Sequence, residues 1–177
     1  MAWTVKPSAT TQIERRDEPY LTAAMKKHYT TKIVPCYAER MGALLPILHD
    51  VQDRYRCIPY QAMAEIGQYL EITAAQVLDA VSFYEEFTTE PTGKHVVAVC
   101  QSLACELCGH QAILDHLRRK LGVEPHETTA DGRFTLLALE CLGSCDTAPV
   151  ALVNDDLHEN LTIERLDEIL NILPESD

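Results

Sequence analysis

The chain has 177 residues, 46% of them apolar and 24% charged, with 15 Lys+Arg against 27 Asp+Glu for a net charge of −12. Such a balance suits a globular protein with a conventional core, and the negative charge argues against nucleic acid or anionic lipid as partners. No run approaches the roughly 18 apolar residues of a membrane span, and the polar start, with Glu14-Arg15-Arg16-Asp17-Glu18 inside it, does not read as a secretory signal, so a cytoplasmic protein without direct membrane insertion is expected.

Residues 1–38 show no sustained periodicity and contain Pro7, Pro19 and Pro35, which reads as an irregular or partly helical arm whose first part is mobile. From Leu44 the apolar positions Leu44, Leu48, Val51 and Tyr55 recur at helical spacing up to Ile58-Pro59. A second helix places Ala62, Met63, Ile66 and Leu70 on one face. A third begins at Thr73, with Gln76 spaced for a capping box, and continues through Val77, Ala80, Val81 and Tyr84. Residues 39–90 therefore form a three-helix segment, closed by a break at Glu90-Pro91-Thr92-Gly93.

The pattern then changes. His95-Val96-Val97-Ala98-Val99-Cys100 is rich in β-branched residues, as a buried strand is. A helix is predicted over about Leu107–Leu121, and a second strand from Phe134 to Glu140. A third strand at Pro149–Val153 is followed by turn chemistry at Asn154-Asp155-Asp156 and a hairpin return over Leu157–Leu161. Thr162 caps a last helix with Leu166, Ile169, Leu170 and Leu173 on its core face. The fold class is α/β (α+β), and residues 91–177 form a small sheet with helices packed on it.

Seven cysteines in a chain without an export signal point to metal or redox chemistry rather than a disulfide framework. Cys36 and Cys57 are isolated and read as packing residues. Cys100-x4-Cys105 lies where a strand turns into a helix, and Cys141-x3-Cys145 follows another strand. If the two strands are neighbours, four thiolates can converge on a two-iron cluster, two per iron. Gly143 permits a positive φ, while Ser102, Ala104 and Ser144 leave room for inorganic sulfide. A helix starting near Glu106 would turn its positive end towards the cluster.

Three rivals stand beside this reading. Four thiolates also bind structural zinc, although a four-residue spacer is at its upper limit. Cys105-Glu-Leu-Cys108 at a strand-to-helix junction is where a catalytic dithiol would sit. Cys100, Cys105, Cys108 and Cys141 satisfy the plant-type ferredoxin spacing, but that scheme leaves Cys145 unused and its loop is not followed at once by a long amphipathic helix. Cys108 is accordingly read as a first-turn helix residue near the cluster. The seven histidines lack metal-motif spacing and are assigned surface or packing roles.

Several segments carry a family resemblance: Leu44-Leu45-Pro46-Ile47-Leu48, Ser82-Phe83-Tyr84, Cys100-x4-Cys105, the run from Glu140 to Val150, and Asn154-Asp155-Asp156 through Glu159-Asn160-Leu161-Thr162. With these the chain resembles, from about Leu44 to Leu173, the thioredoxin-like [2Fe–2S] ferredoxin subunits of NADH:quinone oxidoreductase, the E-subunit family of bacterial complex I. The resemblance implies an N-terminal helical bundle before a thioredoxin-like ferredoxin domain with a small mixed sheet. It implies that Cys100, Cys105, Cys141 and Cys145 are the cluster ligands. It also implies a flavoprotein partner that carries FMN and a [4Fe–4S] cluster and binds NADH, together with the other subunits of a complex, in a peripheral arm on the cytoplasmic side of a membrane or in a soluble assembly. The same module serves NAD-linked hydrogenases and formate dehydrogenases. Two features depart from the common pattern: Glu85-Glu86 inside the Phe-Tyr-x-x-Phe segment, and the extra thiol Cys108.

No Gly-x-Gly-x-x-Gly or P-loop is present, so hydride chemistry is assigned to a partner and single-electron transfer to this chain. Phe83, Tyr84 and Phe87, at the end of the helical segment, are the expected docking aromatics; the competing reading is that these rings only join the two domains.

Overall fold

The computed structural model describes residues 15–174 and divides the chain into two compact units, 1–91 and 92–177. The expected mobile start of the arm, residues 1–14, lies outside the described residues.

In the first unit Thr22 caps α1 (Ala23–His28) by accepting the Met25 amide at 3.2 Å. Leu21, Met25 and Tyr29 enter the core, so this stretch packs as part of the unit. Helix α2 (Leu44–Tyr55) buries Leu44, Ile47, Leu48 and Val51, a stripe at helical spacing. It stops short of Ile58 because Arg56 turns left-handed at φ 57° and returns its amide to Gln52. Helix α3 (Tyr60–Leu70) buries the four residues read from the sequence, and Gly67 between them.

Helix α4 (Ala74–Phe83) opens with the predicted capping box: Thr73 Oγ1 accepts the Gln76 amide at 3.2 Å, and Gln76 Oε1 accepts the Thr73 amide at 2.9 Å. After α4 the chain folds back on α2. Gln52 donates to the Glu86 carbonyl at 2.6 Å and accepts the Thr88 amide at 2.9 Å, which carries Phe87 into the core beside His49. Phe87 is therefore not a docking residue; Phe83 and Tyr84 are exposed.

The second unit is built on a five-stranded mixed sheet of order β2-β3-β1-β4-β5. Its strands are β1 (His95–Cys100), β2 (Glu127–Thr128), β3 (Phe134–Leu139), β4 (Ala151–Val153) and β5 (Asp156–His158). The central β1 pairs in parallel with β3 and antiparallel with β4. The return strand β5 begins at Asp156 and ends at His158, earlier than the sequence suggests, because Asn154 takes φ 55° and closes a tight turn.

The predicted helix over 107–121 is two helices. One-turn α5 (Leu103–Leu107) begins right after Ser102, not near Glu106, and α6 (His110–Leu121) follows a break at Cys108-Gly109, where Gly109 takes φ 90°. Helix α7 (Ile163–Ile172), capped by Thr162, buries Leu166, Ile169 and Leu170 in one core with Ile113, Leu114 and Leu117 of α6 and the inner residues of β1, β3 and β4. Asp167 of α7 accepts from His116 at 2.8 Å and Lys120 at 2.6 Å on α6. Among the described residues no helix is long and apolar enough to cross a membrane.

Candidate metal centre

The parallel pairing of β1 and β3 sets Cys100 opposite Leu139, so the loops that follow both strands leave the same edge of the sheet. The Gln101 amide donates to the Leu139 carbonyl at 2.8 Å, and the Cys100 amide donates to the Val150 carbonyl at 3.1 Å. Cys100 is thus pinned between the two ends of the loop that bears Cys141 and Cys145. Cys105 follows on α5 and is buried with Cys100 and Val150 in a small cluster flanked by Leu142 and Ala148.

The thiols fall into two pairs. Cys141 Sγ and Cys145 Sγ lie 3.4 Å apart, and Cys105 is buried beside Cys100 in one small cluster. The pairs also sense each other: Cys145 acts electrostatically on Cys105, and Cys100 on Cys145. All four residues read from the sequence as ligands are therefore brought to one locus. Cys108, at the end of α5, is exposed, as is Cys36.

Burial pushes the Cys105 thiol up to about 11, helped by Cys100 and opposed by a hydrogen bond involving Val150. The exposed pair behaves differently. The Gly143 amide donates to Cys141 Sγ at 3.3 Å and, with the Cys145 thiol, favours the Cys141 thiolate, while that neighbouring sulfur pushes Cys145 up. Gly143 reaches this position at φ 83°, where a side chain would be strained.

This donor set fits a [2Fe–2S] group. Two thiols per iron, a backbone N–H aimed at a ligand sulfur, and a half-buried, half-exposed locus are what such a cluster asks of a protein. Paired thiols suit two irons better than one tetrahedral zinc.

The loop of Cys141 and Cys145 also has a partner to which sequence patterning assigns no role. Glu159, just after β5, accepts from Ser144 Oγ at 2.6 Å and from Thr147 Oγ1 at 2.7 Å, and these hydroxyls hold its carboxyl below the usual range. Its only sequence signal is a place in the Glu159-Asn160-Leu161-Thr162 segment.

Comparison with known proteins places the chain in a family. Residues 30–174 match the model of the thioredoxin-like [2Fe-2S] ferredoxin family. The second E subunit of NADH-quinone oxidoreductase from Rhizobium meliloti (strain 1021) is 41% identical over 134 residues, 76% of this chain and 80% of that protein. The NADH-quinone oxidoreductase E subunit of Escherichia coli (strain K12) is 37% identical over 76% of this chain and 81% of its own length. Among solved structures, an NAD+-reducing [NiFe]-hydrogenase in the air-oxidized state superposes with a TM-score of 0.64 at 25% identity over 76% of this chain; the match spans 24% of the hydrogenase chain. The chain belongs to the thioredoxin-like [2Fe-2S] ferredoxin family, and its cofactor is a [2Fe–2S] cluster.

Proposed function

We propose that Cys100, Cys105, Cys141 and Cys145 hold the cluster and that the chain is the electron-transfer subunit of an NADH dehydrogenase complex of the NADH:quinone oxidoreductase kind. When bound, the cluster supplies a one-electron couple. The protein's own part is to fix four sulfurs, shield two of them, and direct N–H groups at them. The observation that carries the reading is the delivery of two thiol pairs to one sheet edge by the parallel β1–β3 pair.

The relatives named as E subunits of NADH-quinone oxidoreductase favour this host. An NAD-linked hydrogenase is the second reading, favoured by the structural neighbours. In either host the partner that exchanges electrons is an FMN-containing protein that binds NADH, and the assembly works on the cytoplasmic side. Exposed Phe83 and Tyr84 at the end of α4 offer that partner an apolar ledge, and the net charge of −12 favours a basic surface opposite.

The test is low-temperature electron paramagnetic resonance on the anaerobically purified, chemically reduced chain, with iron and sulfide analysis. About one spin per chain of the two-iron type supports the assignment; zinc or free thiols in place of iron and sulfide overturn it. Co-purification from the native host then identifies the complex, by whether the flavoprotein travels with quinone-reducing or hydrogenase subunits.

A further inference from the structure

The loop from Cys141 to Pro149 contains only one short turn of 3₁₀ helix, Cys145–Thr147, and no strand pairing of its own. A loop of this kind does not hold two sulfurs in place unless something outside it fixes its polar groups. In this chain the side-chain part of that fixing comes from one carboxylate. Ser144, next to Cys145, and Thr147, two residues beyond it, both reach the same oxygen of Glu159.

The two hydroxyls are also 2.8 Å from each other. Thr147 Oγ1 also lies 3.2 Å from the Ser144 carbonyl; the Glu159 oxygen is the acceptor that both hydroxyls share, and an ionised carboxylate can accept from both at once. The backbone after Glu159 continues the lashing. The Asn160 amide donates to the Thr147 carbonyl at 2.7 Å and the Leu161 amide to the Pro149 carbonyl at 2.9 Å. Glu159 is itself anchored, since the preceding His158 pairs with Ala151 in the sheet and Leu161 is buried in the core. A chain of contacts thus runs from the sheet through Glu159 to the residues flanking Cys145.

We propose that Glu159 is the positioning residue of the Cys141–Cys145 loop, clamping it through Ser144 and Thr147, and that its negative charge lowers the reduction potential of the centre the loop carries. The inference rests on the assignment of Cys141 and Cys145 as ligands. It differs from an ordinary exposed glutamate in what it predicts: the same side chain governs both cluster retention and potential. Outer-shell partners of metal ligands act in this way, and nearby charge is one of the levers on an iron–sulfur potential.

The experiment uses the full chain, assembled with its cluster anaerobically, as wild type, Glu159→Gln, Ser144→Ala/Thr147→Val, and the triple combination. Three quantities are read: iron and sulfide per chain, the midpoint of a spectroscopic redox titration, and the rate of cluster loss to a chelator. Glu159→Gln keeps the shape and removes the charge, so the midpoint moves to a more positive value and cluster loss accelerates about 10-fold. The hydroxyl pair variant accelerates loss similarly, and the triple variant is no faster than either, because all three groups belong to one hydrogen-bonded cluster. If Glu159→Gln matches wild type in midpoint and loss rate, or if the effects add independently, the inference is overturned. A wild-type chain that takes up no two-iron cluster overturns the ligand assignment itself and the inference with it. Should Glu159→Gln fail to fold, the hydroxyl pair variant decides alone: a loss rate equal to wild type refutes the clamp, and an accelerated rate supports it.

Discussion

Cys100 stands opposite Leu139 across the parallel β1–β3 pair, two residues before Cys141. That register places both cysteine loops on one sheet edge, and the cysteine substitutions that test the proposed ligands follow from it. Cys145→Ser removes one member of the exposed pair and should abolish or strongly perturb the two-iron resonance, whereas Cys108→Ser, at the exposed end of α5, should leave signal and iron content near wild type. The reverse result would transfer the assignment to the plant-type spacing.

In the metal-free chain the thiols should differ in reactivity. Cys141 is exposed and its thiolate is favoured, while Cys105 is buried and pushed up to about 11. Timed alkylation near neutral pH, followed by peptide mass analysis, should label Cys141 well before Cys105. Equal rates would contradict the arrangement.

Tyr29 is fully buried and donates to Asp50 Oδ2 at 2.5 Å. Burial alone would raise the Asp50 carboxyl, but hydrogen bonds from Arg54 and Tyr29 outweigh it and hold the group below its ordinary value. A depressed carboxyl adds stability that is present above its unfolded pKa of about 3.9 and is lost as pH falls through the folded value. Tyr29→Phe should therefore lower stability at neutral pH by about 1.5–3 kcal/mol, with the difference shrinking under acid. Denaturant titrations of both proteins at several pH values would show it; a gap that widens towards low pH would refute the account.

Gly93 lies before β1, and its amide donates to Thr135 Oγ1 at 2.6 Å. A Cβ there would sit 2.7 Å from the Phe134 carbonyl carbon, a backbone atom that cannot swing aside. Gly93→Ala should cost about 1–3 kcal/mol, read as a shift in the unfolding midpoint. An unchanged midpoint would mean that the chain relaxes there freely.

Leu166 on α7 is fully buried among residues of α6 and the sheet. Leu166→Ala should destabilise the second unit by about 2–5 kcal/mol, measured by denaturant unfolding. A change within experimental error would show that α7 contributes little to that core.

Long periodic segments are legible in the sequence because burial imposes their pattern: α2, α3 and α4 announce their inner faces, and Thr73 with Gln76 announces a cap. Strands β1 and β3 are legible for the same reason, being buried along nearly their whole length, and the cysteine pairs at their ends stand out by spacing. What escapes is decided by contacts distant in sequence. The two-residue β2 exists only through pairing with β3. Phe87 looks like a surface aromatic until Gln52 draws its backbone inward. The break at Cys108-Gly109 depends on one left-handed glycine within an otherwise helical pattern. Glu159 is unremarkable as a residue type, because its significance lies in two hydroxyls twelve and fifteen positions earlier.

Asn154 is more than the corner of the β4–β5 hairpin. Its amide donates to the Val96 carbonyl at 2.8 Å and its side-chain oxygen accepts the Val96 amide at 3.0 Å, so this one residue satisfies both backbone groups of Val96 and extends the β1–β4 ladder. A hairpin that slipped by one residue would forfeit both bonds and carry Glu159 about 3.4 Å along the strand direction, beyond hydrogen-bond reach of Ser144 and Thr147. The turn thus works as an indexing pin for the whole second unit: slow hydrogen exchange at the Val96 amide would report, from the far end of the strand, that the cysteine loop is in phase.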